Sequence, residues 1–467
     1  MASIAVLGTA SGVGKSTLVA AFCRLLRRRG LRVAPFKALN FSLNSAVTPD
    51  GLEIGRAQAL QAQAAGLDPR VEMNPVLLKP GRRRHAIVLG RPSAKRDLWP
   101  DIRRAWRALD REFEAVVIEG AGSAAEPNLL RRDLANHRIA REAKAPTILV
   151  GDIEQGGVFA ALLGTFEILP PDLRPRAFII NRYRGRARDL APALRWLERR
   201  TRRPVIGVVP WLDLDLDEED APRRSPERGR RLRVVVVRLP HLSNSTDFEP
   251  LQREPDVDLV YAERPTEGDV LIFPGTRETL ADLAFVRARG FDRALDAAPE
   301  VVGICGGLQM LGRRIVDGVE AKGDVEGLGL FDAVTRFARA KRTLRVRGVQ
   351  EGTGEVVEGY EIRHGRTRFG AGRRPFARLE SGDDGITTSR GWGTYVHGVF
   401  DRPGFRRAFL NRLRARRGWG PLRPRGWSRE AELDRLADAV GKAVDMKFVE
   451  DLVLERRGSS ETKGRTS

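Results

Sequence analysis

The sequence predicts an α/β protein made of two domains, each built on a largely parallel sheet. Along residues 1–211, short apolar segments alternate with segments of helical periodicity, a pattern typical of parallel sheets that helices cover on both faces. The alternation stops at residues 212–231 and then starts again. A chain of 467 residues is long enough for two domains that each bury a core of their own.

The first series of elements predicts a doubly wound parallel sheet in a domain that spans residues 1–211. Helical patterns fill the intervals between its strands, and the clearest covers residues 16–29. Because open parallel sheets bind ligands at the carboxyl ends of their strands, we expect the chemistry of this domain at that edge. The predicted strands are residues 4–7, 32–36, 115–119, 147–150, 178–181 and 205–208.

Residues 212–231 separate the two domains by their composition. The first part of this stretch, residues 212–220, is acidic, and residues 221–231 are rich in proline and arginine. Charged stretches of this kind rarely bury a hydrophobic face, so we predict a solvated linker.

The second α/β series defines a domain over residues 232–405. After its first strands the chain becomes richer in strands and loops. Residues 406–467 are predicted to form a C-terminal segment of helices, at 408–417 and 430–440, that ends in a frayed polar tail at 456–467. The predicted strands of the second domain are residues 232–237, 270–273 and 301–304.

The composition narrows the class of protein. Hydrophobic residues make up 42% and charged residues 31% of the chain, as in an ordinary soluble protein. No apolar run approaches the ~20 residues that a membrane-spanning helix needs, and the N-terminal strand does not resemble a secretory leader. The two cysteines, Cys23 and Cys305, lack metal-ligand spacing, so we expect no disulfide framework, no zinc site and a cytoplasmic location.

The net charge of +21 raises nucleic-acid binding as an alternative, because a basic surface attracts polyanions. Arginine carries nearly all of the charge, and the basic residues are spread over the whole chain without a basic tail or an aromatic-interleaved patch. We therefore expect no nucleic-acid partner. A small polyanionic substrate would be attracted by the same field.

Residues 8–17, Gly-Thr-Ala-Ser-Gly-Val-Gly-Lys-Ser-Thr, connect the first strand to the first helix and form a candidate P-loop for ATP. Lys15 would place a charge on the phosphates, and Ser16 would ligate Mg²⁺. The spacing departs from the standard motif because Gly8 lies one residue early. A glycine-rich turn without chemistry is the alternative, but it leaves a lysine at a helix start unexplained. The predicted phosphate-binding residues are Gly12, Gly14, Lys15, Ser16 and Thr17.

Two charged residues lie at the ends of further predicted strands, at the edge where we expect ligands to bind. Lys37 follows the second predicted strand, and Glu119 ends the third. A lysine at this position would neutralise a phosphoryl group or a substrate carboxylate, and a carboxylate beside a P-loop is a natural Mg²⁺ ligand. Each residue alone is better explained as a charge at a loop. Together with the P-loop, they favour a site for ATP and Mg²⁺.

Residues 301–311, Val-Val-Gly-Ile-Cys-Gly-Gly-Leu-Gln-Met-Leu, have the layout of a nucleophile elbow. A strand leads into Cys305, and Gly303 and Gly307 occupy positions where a β-carbon would collide with the sharply turned backbone. The helix that follows points its N-terminus at the sulfur, which favours the thiolate. A buried structural cysteine remains the alternative from the local pattern alone.

A cysteine that attacks an acyl group needs a base and an oxyanion hole. Of the five histidines, His397 lies in a glycine-flanked turn after a strand of the same domain, and His364 is its competitor. The backbone N–H groups of Gly275 and Gly306 are the candidate oxyanion donors. Gly275 follows the predicted strand that precedes the elbow.

These motifs together resemble the cobyric acid synthase family, the glutamine-dependent amidating enzymes of cobalamin biosynthesis, from residue 4 to about residue 401. Besides the P-loop and the cysteine elbow, the matching stretches are Phe36-Lys-Ala-Leu-Asn-Phe-Ser-Leu-Asn-Ser45, Glu53-Ile-Gly-Arg-Ala-Gln58, Met73-Asn-Pro-Val-Leu-Leu-Lys-Pro80, Val117-Ile-Glu-Gly-Ala-Gly-Ser123, Gly151-Asp-Ile-Glu-Gln-Gly-Gly-Val-Phe-Ala160, Phe273-Pro-Gly-Thr276, Gly359-Tyr-Glu-Ile362 and Thr394-Tyr-Val-His-Gly-Val-Phe400.

The resemblance implies an N-terminal P-loop domain like that of dethiobiotin synthetase and a C-terminal class I glutamine amidotransferase domain. It implies that Cys305 and the catalytic histidine His397 release ammonia from glutamine, while ATP and Mg²⁺ serve to activate a carboxylate. The implied substrate is a corrinoid, adenosylcobyrinic acid a,c-diamide, whose b, d, e and g carboxylates are amidated to give cobyric acid.

The chain departs from the family pattern at a few positions. Leu308 replaces an aromatic residue, Glu154-Gln155 replaces an Asp-Arg pair, and Thr276-Arg277-Glu278 replaces Ser-Lys-Asn. Most class I amidotransferases also place a glutamate two residues after the histidine, where this chain, like the cobyric branch, lacks it and has Val399. What orients His397 therefore stays open.

Two other functions fit parts of the pattern. Cobyrinic acid a,c-diamide synthase has the same two domains but normally carries Lys-x-Gly-Pro-Asp-Tyr after the second strand, where this chain has Lys37-Ala-Leu-Asn-Phe-Ser42. A switch ATPase of the ParA/MinD type places a lysine five residues before the P-loop lysine, where this chain has Ala10. Such a switch would also have no use for an amidotransferase domain. The sequence favours the cobyric branch.

Overall fold

The computed structural model describes residues 2–80, 85–130, 132–214, 216, 231–319, 323–424 and 428–461. The chain divides into two compact units, Met1–Asp220 with Ser428–Ser467, and Ala221–Trp427. Most of the predicted linker, residues 215 and 217–230, lies outside the described residues. Within the described ranges, no helix combines the length and apolar character that crossing a membrane requires.

The first unit alternates strands and helices along residues 2–210. Its strands are β1 (Ala2–Gly8), β2 (Val33–Phe36), β3 (Leu39–Phe41), β4 (Ser45–Val47), β5 (Glu53–Gly55), β6 (Val76–Lys79), β7 (His85–Val88), β8 (Arg91–Ser93), β9 (Ala115–Glu119), β10 (Thr147–Asp152), β11 (Ala177–Tyr183) and β12 (Val205–Pro210). Its helices up to this point are α1 (Lys15–Arg28), α2 (Arg56–Ala64), α3 (Trp99–Glu112), α4 (Ile139–Glu142), α5 (Val158–Ile168) and α6 (Ala191–Thr201).

A six-stranded parallel sheet with the order β12-β11-β10-β1-β9-β2 forms the centre of the first unit. All six strands predicted for this domain take part, so the prediction of a parallel sheet is confirmed. Successive residues of β1 face opposite sides of the sheet, and Val6 and Leu7 therefore belong to separate hydrophobic cores. The strand β1 lies between β9 and β10, and its carboxyl end leads into the P-loop.

Short strands between β2 and α3 form a smaller layer that the sequence analysis did not predict. The strands β3, β6, β7 and β8 make a four-stranded sheet, and β4 pairs with β5. Each of these strands has only three or four residues, which is too short for period-2 alternation to stand out. This layer contains the stretches that begin at Phe36, Glu53 and Met73.

The second unit contains the remaining strands. These are β13 (Leu232–Val237), β14 (Val257–Ala262), β15 (Val270–Phe273), β16 (Val301–Ile304), β17 (Arg314–Asp317), β18 (Gly323–Glu326), β19 (Ala333–Gln350), β20 (Val356–Phe369), β21 (Ala377–Leu379), β22 (Gly382–Asp384), β23 (Ile386–Thr388) and β24 (Gly391–Thr394). Its helices are α7 (Glu249–Gln252), α8 (Thr279–Ala288), α9 (Phe291–Ala294), α10 (Gly306–Leu311) and α11 (Pro403–Arg416).

The central sheet of the second unit has the order β14-β13-β15-β16-β24-β23, and only β23 at its edge is antiparallel. A second sheet has the order β18-β17-β19-β21-β22, with the long strand β20 paired to β19. The three predicted strands of this domain are present with their predicted bounds. The strand β16 lies between β15 and β24, and its carboxyl end leads into Cys305.

The C-terminal residues do not form one segment, so the prediction for residues 406–467 is wrong in this respect. The helix α11 belongs to the second unit, where Phe405 and Phe409 pack around Trp392. The last helices, α12 (Arg429–Ala443) and α13 (Met446–Glu461), belong to the first unit. Leu436 and Val440 of α12 are fully buried in the same core as α1.

Ion pairs accompany this packing of α12 on α1. Arg24 of α1 contacts Glu430 at 2.7 Å and Asp434 at 2.8 Å. The helix α13 continues to Glu461 from an anchored start that buries Val449 and Val453, and the predicted fraying from residue 456 stays a prediction. Residues 462–467 lie outside the described residues.

The start of the predicted linker is not solvated. Leu214 and Leu216 are buried in the core that contains α1, and Leu212 packs against it. The alternation of leucine and aspartate in this stretch places the leucines on one side of an extended chain, so a locally acidic composition concealed a hydrophobic face.

Candidate active sites

The loop between β1 and α1 is shaped by glycines. Gly12 and Gly14 have φ angles of +72° and +92°, and Gly14 caps the N-terminus of α1. A β-carbon on Gly14 would lie 2.1 Å from the side-chain nitrogen of Asn181, and one on Gly8 would lie 2.7 Å from Lys15 Nζ. The early glycine that departs from the standard motif thus makes room for the lysine side chain.

Lys15 crosses this loop. Its Nζ donates to the carbonyl oxygens of Ala10 at 2.8 Å and Gly122 at 3.0 Å, and the side chain is buried. Gly122 follows β9, the strand that carries Glu119. The ammonium group is therefore held between the ends of β1 and β9. Thr17, in the first turn of α1, is exposed.

Ser16, Lys37 and Glu119 come together as the sequence predicts. Glu119 Oε1 accepts a hydrogen bond from Ser16 Oγ at 2.7 Å and one from Lys37 Nζ at 2.7 Å. Its Oε2 accepts from Gln61 Nε2 at 2.5 Å, and Gln58 Nε2 lies 3.4 Å away. Burial raises the pKa of Glu119, but Lys37 and the hydrogen bonds outweigh it and lower the pKa below its usual range. The carboxylate is ionised.

Gln58 and Gln61 were not predicted as part of this cluster. Both glutamines lie on α2, and a sequence signal was present for Gln58, which closes the stretch that begins at Glu53. Lys37 and Ser16 bind Oε1 of Glu119, and the two glutamine amides donate to Oε2. A buried charge requires hydrogen-bond partners of this kind.

The P-loop cluster supplies some, but not all, of the oxygen ligands that Mg²⁺ needs. Within the described ranges, no group of three or more histidine, cysteine, aspartate or glutamate side chains forms a metal site. Ser16 Oγ and the Glu119 carboxylate are adjacent oxygen donors at the start of α1, the kind of ligand that Mg²⁺ takes when phosphates and water complete its shell. Mg²⁺ binding at these two residues stays a prediction.

Cys305 forms a sharp turn between β16 and α10. Its φ and ψ are +51° and −105°, a strained conformation for a residue with a side chain. A β-carbon on Gly307 would lie 1.9 Å from the Phe273 carbonyl oxygen, and one on Gly303 would lie 2.7 Å from the Leu308 nitrogen. The Cys305 N–H donates to Thr394 O at 2.8 Å, which fixes the turn to β24. The geometry is that of the predicted elbow.

His397 lies beside Cys305 in the second unit. The ring is buried, and the Tyr360 ring stacks on it with a centroid distance of 5.4 Å. Its Nδ1 lies 2.7 Å from Asp247 Oδ2, and Asn244 Nδ2 lies 3.3 Å from the same nitrogen. Burial lowers the pKa of His397, but Asp247 and Cys305, to which it is hydrogen bonded, raise the pKa from 6.5 to about 10.

The competitor His364 lies on β20, where its Nδ1 is 3.1 Å from the carbonyl oxygen of Ala338. The histidine that the structure hydrogen bonds to Cys305 is His397. Asp247 and Tyr360 both contact His397. Neither of these two contacts was predicted from the sequence. Asp247 precedes His397 by 150 residues, and nothing in its local sequence indicates the contact.

Both predicted oxyanion donors are closely packed. A β-carbon on Gly275 would lie 2.8 Å from His397 Cε1, and one on Gly306 would lie 2.6 Å from Thr276 Cγ2. The turn after β15 thus passes next to both the histidine and the start of α10. In the described part of the chain, neither glycine N–H has a hydrogen-bond acceptor. Their role as oxyanion donors stays a prediction.

Two family models match the chain. Residues 4–222 match the CobQ/CobB/MinD/ParA nucleotide binding domain, and residues 233–405 match the CobB/CobQ-like glutamine amidotransferase domain. These two matches coincide with the two α/β folds. The predicted fold class, a P-loop sheet followed by an amidotransferase domain, is confirmed.

Curated relatives align with nearly the whole chain. The cobyric acid synthase of Desulforudis audaxviator is 46% identical, over 96% of this chain and 98% of its own. The cobyric acid synthase of Sorangium cellulosum is 45% identical, over 97% and 99%, and that of Syntrophobacter fumaroxidans is 43% identical, over 96% and 98%. The chain belongs to the cobyric acid synthase family.

Membership of the cobyric acid synthase family makes the chain a carbon–nitrogen ligase that hydrolyses glutamine and uses ATP. The diamide synthase and the ParA/MinD-type switch are not favoured, because the relatives that cover almost the whole chain are cobyric acid synthases. Among solved structures, a glutamine amidotransferase covers 39% of this chain at 18% identity and a TM-score of 0.32, a likeness too slight to add anything.

Proposed function

We propose that the chain amidates the b, d, e and g carboxylates of adenosylcobyrinic acid a,c-diamide to give cobyric acid, with glutamine as the nitrogen donor and ATP as the energy source. The single observation that supports this most strongly is the end-to-end alignment with cobyric acid synthases. The presence of a cysteine–histidine pair in one unit and a P-loop cluster in the other fits a reaction with two separate chemical steps.

The first step releases ammonia in the second unit. The Cys305 thiolate attacks the carbon of the glutamine side-chain amide, and the N–H groups of Gly275 and Gly306 hold the oxygen that gains the negative charge. His397 gives its proton to the departing nitrogen, which leaves as ammonia. His397 then takes a proton from water, the resulting hydroxide attacks the thioester, and glutamate and the free cysteine are formed.

The second step uses this ammonia in the first unit. A substrate carboxylate attacks the γ-phosphorus of ATP, which gives an acyl phosphate and ADP. Ammonia then displaces phosphate, which leaves the amide. The P-loop backbone and Lys15 hold the phosphates, and Lys37, fixed by Glu119 at 2.7 Å, faces the charge that develops during transfer. Mg²⁺ bound near Ser16 and Glu119 would neutralise phosphate charge.

The positive charge of the chain suits such a substrate. A corrinoid with four free carboxylates is a polyanion, and a net charge of +21 raises its local concentration by long-range attraction. We further infer a cytoplasmic location, where the nucleophilic cysteine stays reduced, and no nucleic-acid partner.

Mass spectrometry of the diamide after incubation with the protein, ATP and glutamine tests this proposal. The expected products show up to four successive replacements of a hydroxyl by an amino group. An unchanged corrinoid, under conditions where the protein hydrolyses glutamine, would refute the proposed substrate. Amidation of cobyrinic acid at only two carboxylates would instead identify the diamide synthase.

A further inference from the structure

The residue two positions after His397 cannot orient its ring. Val399 occupies this position, and it is apolar and fully buried in the hydrophobic core of the second unit. An imidazole that transfers protons needs a partner for the nitrogen that faces away from the nucleophile, because this partner selects the tautomer and fixes the ring plane. The partner must therefore come from another part of the chain.

Asp247 has the geometry of such a partner. It lies in the 3₁₀ turn Ser245–Phe248 and is 1% exposed. Its Oδ2 is 2.7 Å from His397 Nδ1, and its Oδ1 accepts a hydrogen bond from the Gly398 N–H at 2.8 Å. One carboxylate thus holds both the imidazole ring and the backbone of the residue that follows it.

The Asp247 contact gives the two ring nitrogens different roles, although Asn244 Nδ2 also lies 3.4 Å from Nε2. A carboxylate at Nδ1 requires a proton on that nitrogen, so Nε2 is the atom that exchanges a proton with Cys305. The stacked Tyr360 ring covers one face of the imidazole. Gly275 lies next to Cε1, where a β-carbon would come within 2.8 Å of the ring.

We propose that Asp247 is the positioning residue of a Cys305–His397–Asp247 triad, supplied from a turn after β13 and not from the turn that carries the histidine. This inference rests on the proposed glutaminase step. Asp247 holds the Nδ1 proton in place and stabilises the imidazolium, while Nε2 carries the proton to the departing nitrogen and then takes one from water.

The electrostatic surroundings agree with this role. Burial lowers the pKa of His397, yet the Asp247 carboxylate and Cys305 raise it to about 10. An imidazolium between a carboxylate and a thiol favours the thiolate, the form that attacks glutamine. Asp247 would therefore act on the reactivity of a sulfur atom that it does not touch.

A purely structural role is the competing explanation, because Asp247 also binds the Gly398 N–H. Asp247→Asn separates the two. The amide oxygen still accepts from Gly398, but the amide nitrogen donates to Nδ1 and forces the ring proton onto Nε2, where it blocks proton transfer from Cys305. We expect the glutamine-dependent rate to fall by up to about 10⁴-fold, the loss that the same change causes in a serine protease triad.

Asp269→Asn is the matched control. Asp269 is also a buried carboxylate of the second unit, and its Oδ2 accepts the Arg233 N–H at 2.8 Å, but it lies at the amino end of β15, the end opposite to Gly275. We expect this variant to keep its glutaminase rate even where it loses stability. Ammonium-driven amidation in both variants checks that the first unit is folded, and urea denaturation measures the folded fraction of the second unit.

The pH dependence of Cys305 alkylation by iodoacetamide separates the two explanations, because a purely structural role of Asp247 would leave it unchanged. Burial raises the pKa of Cys23, so the other thiol does not compete. We expect the pH of half-maximal alkylation to shift upward in Asp247→Asn and to stay in place in Asp269→Asn. An unchanged profile, with activity lost only in proportion to the unfolded fraction, would overturn the proposal.

Nitrogen-15 NMR of histidine-labelled protein covers the case in which Asp247→Asn does not fold. In the wild-type protein we expect a proton on His397 Nδ1 at every pH where the fold persists. An Nδ1 without a proton at neutral pH would overturn the proposal. A separate experiment distinguishes failure of this proposal from failure of the proposed glutaminase step. If the glutaminase step were wrong, Cys305→Ala would leave glutamine-dependent amidation intact.

Discussion

At the scale of single residues, the P-loop cluster depends on a buried ion pair. The side chains of Lys37 and Glu119 are 5% and 1% exposed, and their charged atoms are 2.7 Å apart. Removal of one partner leaves the other charge buried and unpaired, which costs more than the pair contributes. The cluster is therefore sensitive to any single change.

Lys37→Met should lower the free energy of unfolding by about 3–5 kcal/mol and abolish amidation from either nitrogen source. It should leave glutamine hydrolysis in place, because that reaction takes place in the second unit. The double variant Lys37→Met/Glu119→Gln should recover most of the stability without any activity. Urea denaturation and product assays check this, and a stable, active single variant would contradict it.

The raised pKa of His397 makes stability depend on pH. A histidine whose folded pKa exceeds its unfolded value of ~6.5 stabilises the fold fully below that value. This contribution is lost as the pH rises towards the folded pKa of about 10. The slope for one proton is at most about 1.4 kcal/mol per pH unit.

We expect this decline in stability in the Cys305→Ala variant, which has no thiol to titrate at this site. The decline should end below pH 10 in this variant, because Cys305 no longer helps to raise the pKa of His397. His397→Gln in the same background should flatten the decline. The measurement is urea denaturation at a series of pH values from about 6.5 upward. Equal slopes in the two variants would show that another group is responsible.

At the scale of elements, α12 is a structural part of the first unit. Leu436 is fully buried in the core that it shares with α1. Leu436→Ala should therefore lower the free energy of unfolding of this unit by about 2–5 kcal/mol. Leu454→Ala on α13 is the control, since Leu454 is 41% exposed, and it should change stability by at most about 0.5 kcal/mol.

The transition of the first unit is identified by its shift to higher urea concentration when ATP is present, because a ligand stabilises only the unit that binds it. A Leu436→Ala variant with an unchanged first transition would contradict the assignment of α12 to this unit.

The strands differ in how far the sequence predicts them. The strand 115–119 was predictable because its first four residues are apolar and follow a helical segment. The three-residue strands β3, β4 and β5 carry too little pattern. Leu214 and Leu216 were hidden in an acidic stretch, although their alternation with aspartate is a strand-like signal.

At the scale of the whole molecule, the candidate residues that were predictable are those in glycine-rich turns after strands, such as Lys15 and Cys305. Their backbone demands special residues, so the local sequence identifies them. Asp247 was not predictable, because its contact with His397 spans 150 residues and depends on how β13 and β24 are placed in one sheet. Gln61 is a similar case, since no pattern distinguishes it from the two other glutamines of α2.

The central claim is that one chain makes ammonia at Cys305 and consumes it beside Lys15 and Lys37. Assay of Cys305→Ala with two nitrogen sources tests this claim most directly. We expect no corrinoid amidation with glutamine and wild-type-like amidation with ammonium chloride, both in the presence of ATP. Loss of both reactions, or retention of the glutamine-dependent one, would contradict the two-site account.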